Sequence, residues 1–210
     1  KYSTDGNVQW LTRLAGTGQD ECHGIAIDNS GIYISGYYNS TRLTAYNVDG
    51  TPYGITIPNS GSYDTFVVKY SMAGNVQWLT RIAGTGVDTG YGRIISDGFG
   101  GIYTAGYHSS NPLTAYNADG TAYGTTLANS GSDDVFIVKY STDGNVQCMT
   151  RVAGTGGDYA NRISGNKSGV YVVGSYNSNP VTAYNTDGTP YGTTLPNSGG
   201  YDAYIVKYIF

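Results

Sequence analysis

The sequence predicts an all-β protein built from three tandem copies of one antiparallel unit, and three observations carry that prediction. The segment GNVQWLTRLAGTG (6–18) returns almost unchanged as GNVQWLTRIAGTG (74–86) and GNVQCMTRVAGTG (144–156), and repetition this regular outranks any local signal. The composition is the second: 32 Gly and 22 Tyr stand beside only 12% charged residues. Gly is costly inside helices, while Tyr, Thr and Val favour a pleated, half-buried surface. Third, no eleven-residue stretch has a helical period, and no apolar run approaches the roughly 18 residues of a bilayer span.

The elements follow from the repeat. Lys-Tyr-Ser triplets at Lys1, Lys69 and Lys139, with a further Lys-Tyr at Lys207, mark units of 68, 70 and 68 residues. STDGN (3–7), SMAGN (71–75) and STDGN (141–145) separate apolar runs and read as tight hairpin turns. In the first unit, strands are expected at 22–28, 32–38, 64–70 and 75–83. The second unit gives 91–96, 102–107, 134–140 and 145–152, and the third 159–164, 170–176 and 202–208. Between the second and third strand of each unit lies an excursion, at 43–57, 113–127 and 181–195. The Asp-Gly in its middle predicts a protruding hairpin. Four-stranded antiparallel meanders in tandem describe β-propeller blades, each of which must stack on a neighbour to cover its faces.

YDTFVVKYSMAGNVQWLTRIAGTGVDTGYGRI followed by GGIYTAGY resembles the bacterial β-propeller repeat family known as SBBP repeats. The shared pattern is an Asp-aromatic strand ending in Lys, a Gly turn, a Trp strand, Gly-x-Gly-x-Asp and a Gly-rich Tyr strand. The resemblance covers all three units, with longer excursions than the family repeat. It implies a propeller in an extracellular or cell-surface protein and no catalytic chemistry.

The expected domain plan is a complementing outer strand at 1–14 and blades at 15–83, 84–152 and 153–210. The third blade lacks an outer strand of its own, and the N-terminal segment with Val8, Trp10 and Leu11 has that strand's pattern. It is expected to pair beside Tyr204 and Val206. Three blades closing on themselves would each have to splay through a third of a circle, so the partner is expected to be another copy, in a ring or a filament. No initiator Met or signal peptide opens the chain, which fits a mature product or a fragment.

The net charge of −4 without a Lys/Arg cluster argues against nucleic acid and against an anionic membrane surface. Cys22 and Cys148 occupy different places in the repeat, Cys148 standing where Trp10 and Trp78 stand. They read as small buried hydrophobes, without metal-ligand spacing. Asp20, Asp88 and Asp158, and likewise Asp64, Asp134 and Asp202, read as caps on turn amides in preference to calcium ligands. The Glu21-Cys22-His23 run suggests a nucleophile pair, but neighbours on a strand point to opposite faces. No metal, cofactor or catalytic residue is expected.

Ligand-binding candidates lie on the excursions: Tyr46, Asn47 and Tyr53, then Tyr116, Asn117 and Tyr123, then Tyr184, Asn185 and Tyr191. Tyrosine beside Asn suits saccharides, and equally suits packing of the hairpin onto a blade. Asn39 and Asn166 match the N-glycosylation acceptor. The leading expectation is a non-enzymatic extracellular structural protein that assembles with copies of itself by strand donation. The alternative is a lectin-like propeller with one glycan site per blade.

Overall fold

The computed structural model describes residues 1–210 and contains no helix. The first unit comprises β1 (Leu14–Ala15), β2 (Asp20–Asp28), β3 (Gly31–Tyr38), β4 (Arg42–Tyr46), β5 (Pro52–Pro58), β6 (Asp64–Tyr70) and β7 (Val76–Ala83). The second comprises β8 (Asp88–Thr89), β9 (Ile94–Ser96), β10 (Gly101–His108), β11 (Leu113–Tyr116), β12 (Ala122–Leu127), β13 (Asp134–Ser141) and β14 (Val146–Ala153). The third comprises β15 (Asp158–Asn166), β16 (Gly169–Tyr176), β17 (Val181–Tyr184), β18 (Pro190–Leu195) and β19 (Asp202–Tyr208). Every strand pairing is antiparallel; the parallel contacts are isolated bridges at Tyr63–Val87 and Asp133–Gly157.

Each Asp-Gly excursion is a hairpin, but it does not protrude freely from its own unit. β11 pairs with β7 of the preceding unit, and β17 with β14 in the same register. The sheets therefore run β2-β3-β6-β7-β11-β12 and β8-β10-β13-β14-β17-β18, with β9 also beside β10. The third sheet, β15-β16-β19, stops at β19, and the N-terminal β1 carries β4-β5 alone. Of the expected outer strand at 1–14 only Leu14 is laddered, against Ala45, and the pairing continues outside that range with Ala15 against Thr44. Residues 1–10 form a small hairpin of their own, with Tyr2 bridged to Val8 and Gln9 N–H donating to Lys1 O at 2.8 Å.

The inner strand also departs from the simple reading. β2 and β15 bulge at Cys22/Gly24 and Ala160/Arg162. The second unit breaks its inner strand into β8 and β9 around Arg93, whose φ is 76°. The displaced inner strand explains a repeated glycine. A Cβ on Gly36, Gly106 or Gly174 would run into the carbonyl of Glu21, Thr89 or Tyr159.

Side chains alternate across each strand, so a sheet with a neighbour on both sides contributes to two cores. Tyr33 and Val67 pack with Phe136 and Val138 between units one and two, and Tyr103 and Ile137 pack with Ile163, Val172 and Tyr204 between units two and three. The core around Phe66, Val68 and Leu79 has unit one on one side only. Both outer faces of the stack are consequently open. Ile205 is 70% exposed, whereas Val67 and Ile137 at the same register are fully buried. Ile25 is exposed where Ile94 and Ile163 are buried. Cys22 lies on that open face and is exposed, contrary to the sequence reading, while its register-mate Ala160 is buried.

Candidate functional site

The nine excursion residues form one arrangement, built twice in full. The guanidinium groups of Arg13, Arg81 and Arg151 lie over the rings of Tyr46, Tyr116 and Tyr184 at 4.4, 4.2 and 4.3 Å. Asn47 Oδ1 accepts the Val76 N–H (3.0 Å) and Asn117 Oδ1 the Val146 N–H (2.8 Å). Tyr53 donates to Gln77 O (2.7 Å) and Tyr123 to Gln147 O (3.0 Å). These contacts bind each hairpin to its neighbouring outer strand, and one face of Tyr46, Tyr116 and Tyr184 is covered by arginine. Between successive hairpins lie clefts of about 290 Å³ at Arg81 and Tyr116 and about 370 Å³ at Arg151 and Tyr184.

In the third unit the same groups lack their partners. Neither Asn185 Oδ1 nor the Tyr191 hydroxyl has a hydrogen bond, and Tyr191 is exposed. Beside the free edge of β19 lies an apolar hollow of about 120 Å³, lined by Val181, Tyr191, Leu195, Tyr204 and Val206. At the other end, Trp10 donates Nε1–H to Met72 O (3.3 Å) as Trp78 does to Thr142 O (3.0 Å). Leu11 is 84% exposed, although Leu79 and Met149 at its place in the repeat are 1% and 2% exposed. Val8 is exposed too, and the Arg13 guanidinium makes no hydrogen bond. Arg81 and Arg151, by contrast, donate to a carbonyl and a serine of the preceding hairpin, Pro58 O and Ser60 Oγ for Arg81, Ala128 O and Ser130 Oγ for Arg151.

A second cluster is built around Glu21 and His23. The β2 bulge turns His23 beside Glu21, with Nε2 3.2 Å from Oε2, and stacks its ring on Tyr37 at 5.0 Å. Tyr91 closes on His23 (4.4 Å) and on Tyr37 (5.4 Å). Gln19 donates to Glu21 and accepts from Tyr63 at 3.0 Å. The hydrogen bonds from Gln19 first and Tyr37 second hold Glu21 below the usual carboxylate range. Burial pushes the Tyr37 phenol upward. Glu21 and His23 are thus brought together, not Cys22 and His23. The clue in the sequence was disagreement between units: Glu21, the sole glutamate, is matched by Thr89 and Tyr159.

The repeated aspartates sit on turns. Asp20 accepts from Gly16 N and Ser40 Oγ, and Asp64, Asp134 and Asp202 accept from Ser60, Ser130 and Ser198 N–H at 2.6–2.7 Å. Asp88 and Asp158 accept from the hydroxyls of Ser110 and Ser178. Burial first, and the nearby Asp88 second among the raising effects, lift Asp64 to about 7. Cys148 is half-buried, and burial raises its thiol pKa. Asn39 and Asn166 are both exposed; Asn39 Oδ1 accepts the Gln19 N–H, and Asn166 Oδ1 closes the turn into β16.

No family profile matches the chain. An uncharacterized WD repeat-containing protein of Acanthamoeba polyphaga mimivirus is 30% identical over 212 aligned residues, which cover 91% of this chain and 15% of that protein. The chain thus spans less than a fifth of that relative's length. Repeated antiparallel sheets and this relative agree on a β-propeller-type repeat.

Proposed function

We propose that the chain is a non-enzymatic structural repeat protein of the SBBP type, with three blades, whose copies join head to tail by strand donation. Its setting on this reading is extracellular or at the cell surface, as the resemblance implies. The observation that carries the proposal is the match between two sets of unpartnered groups. The register of β6 with β7 is Thr65↔Ile82, Val67↔Thr80, Val68↔Leu79, Lys69↔Trp78 and Tyr70↔Val76. Carried to β19, it sets Ala203, Ile205, Val206, Lys207 and Tyr208 opposite Leu14, Thr12, Leu11, Trp10 and Val8 of a second copy. In that register Val8 N–H meets Asn185 Oδ1, and Gln9 O meets the Tyr191 hydroxyl. Leu11 fills the apolar hollow, and Arg13 reaches Pro196 O and Ser198 Oγ.

The gains are backbone hydrogen bonds at about 0.5–1.5 kcal/mol each and burial of a leucine at roughly 1.5–3 kcal/mol. Against them stands the N-terminal hairpin. Tyr2 occupies the place opposite Val8 that Tyr208 would take, so Lys1 and Tyr2 must peel away. That hairpin is exposed and short, so the displacement is the smaller effect. The interface is heterologous, giving a ring if its rotation closes and a filament if not. It also covers a bare sheet edge.

Light scattering and electron imaging of the intact chain should show multi-chain species. Removing residues 1–14, or substituting Leu11→Lys at its exposed position, should leave folded monomers. Removing only Lys1 and Tyr2 should strengthen association. Equal assembly of the intact and Leu11→Lys chains would overturn the proposal.

A further inference from the structure

Tyrosine rings cross all three units on one face in an unbroken series. Tyr63 meets Tyr37 at 5.3 Å, Tyr37 meets Tyr91 at 5.4 Å, and Tyr91 lies parallel to Tyr107 at 6.0 Å. Tyr107 then meets Tyr159 edge-on at 4.9 Å, and Tyr159 meets Tyr201 at 5.9 Å. Tyr91 and Tyr201 are exposed, Tyr63, Tyr107 and Tyr159 half-buried, and Tyr37 buried. Two carboxylates lie along the series: Glu21 beside His23, and Asp133, whose Oδ2 accepts the Tyr159 hydroxyl at 3.0 Å.

The series is not a by-product of the repeat. Tyr37 and Tyr107 share a register with Ser175, and Tyr63 and Tyr201 with Asp133. Turn glycines, capping aspartates and stacked arginines are kept from unit to unit, while here the residue types change. Each unit nevertheless supplies two rings to the same line, Tyr91 and Tyr159 from positions where the other units have no tyrosine. Symmetry is broken over a stretch that is continuous in space and scattered in sequence, which is what a single extended ligand requires.

We infer that this strip binds an extended, uncharged oligosaccharide, whose C–H faces lie on the tyrosines and whose hydroxyls donate to Glu21 and Asp133. Tyrosines offer large amphipathic contact with few rotors to freeze, and ring-to-ring packing has already fixed them here. Carboxylates accept hydrogen bonds without donating any, so they match the hydroxyls of a polyol. A proline-rich peptide would use the rings but has few N–H groups to offer the carboxylates. The same two negative charges disfavour uronic or sialylated chains. This site is distinct from the excursions and does not depend on strand donation.

The test titrates the 210-residue chain with hexasaccharides of glucose, mannose, xylose and N-acetylglucosamine, following tyrosine fluorescence and calorimetry. Hexagalacturonate and decaproline serve as controls. At least one neutral sugar should bind saturably, and Tyr91→Ala and Glu21→Gln should each weaken it about tenfold or more. Phe99→Ala, on the exposed turn before β10, and the assembly variant Leu11→Lys should bind as the parent does. The proposal is overturned if no neutral sugar binds at millimolar concentration or if Tyr91→Ala and Glu21→Gln bind normally. Stronger binding of decaproline or hexagalacturonate would overturn it too.

Discussion

Gly144 shows at the scale of one residue how the repeat constrains its own sequence. Its φ is +80°, and a Cβ there would stand 2.8 Å from both Ala118 and the Trp78 ring. Gly144→Ala should lower stability by about 1–2 kcal/mol for the left-handed backbone, with a further loss from crowding, read from a urea midpoint. Asp64 makes a different prediction. A carboxyl that holds its proton more tightly when folded favours the fold at low pH. That benefit is complete below the unfolded value near 4 and is lost as pH rises through about 7. Asp88 and Asp134, each lifted by burial to about 6, add to the same loss. His108, lowered by burial to about 4, works in the opposite sense below its ordinary value. Stability should therefore be greatest near pH 4, fall as pH rises to about 7 and level off above it, and Asp64→Asn should make that fall shallower.

Strand positions were legible in the sequence to within a few residues because Asp-Gly turns and alternating apolar residues punctuate every unit. The strand at 202–208 was read with its observed limits. What each hairpin pairs with was not legible. Thr114 and Ala115 meet Ala83 and Ile82 across the unit boundary, a choice made by tertiary packing. The Tyr91 cluster was hidden for a related reason, since packing of one unit on the next is what brings Tyr91 onto His23 and Tyr37. Cys148 offers a test at this scale. Trp78 lies 6.0 Å from Tyr33, whereas Cys148 leaves that space open and Phe210 instead packs on Tyr103 at 5.3 Å. Phe210→Ala should destabilise the third unit by about 1–3 kcal/mol. Cys148→Trp should be unfavourable alone but should recover part of that loss in the double variant, a coupling measurable by a mutant cycle.

The 210 residues form a stack of three repeat units with exposed apolar residues on the face at each end. Tyr171, Val173 and Ile205 are exposed on one end and Ile25, Ile27 and Leu11 on the other. Register-mates of these residues within the stack, such as Tyr33, Val67, Ile94 and Leu79, are buried. Under the proposed strand donation these two faces meet as the internal junctions do, and a covalent trap can read the register. In a Cys22→Ser, Cys148→Ser background, chains carrying Leu11→Cys are mixed with chains carrying Val206→Cys and oxidised mildly. Strand donation in this register predicts an inter-chain disulfide between positions 11 and 206, and little when Val206→Cys is replaced by Ala203→Cys. Equal trapping at 203 and 206, or no trapping at either, would contradict it.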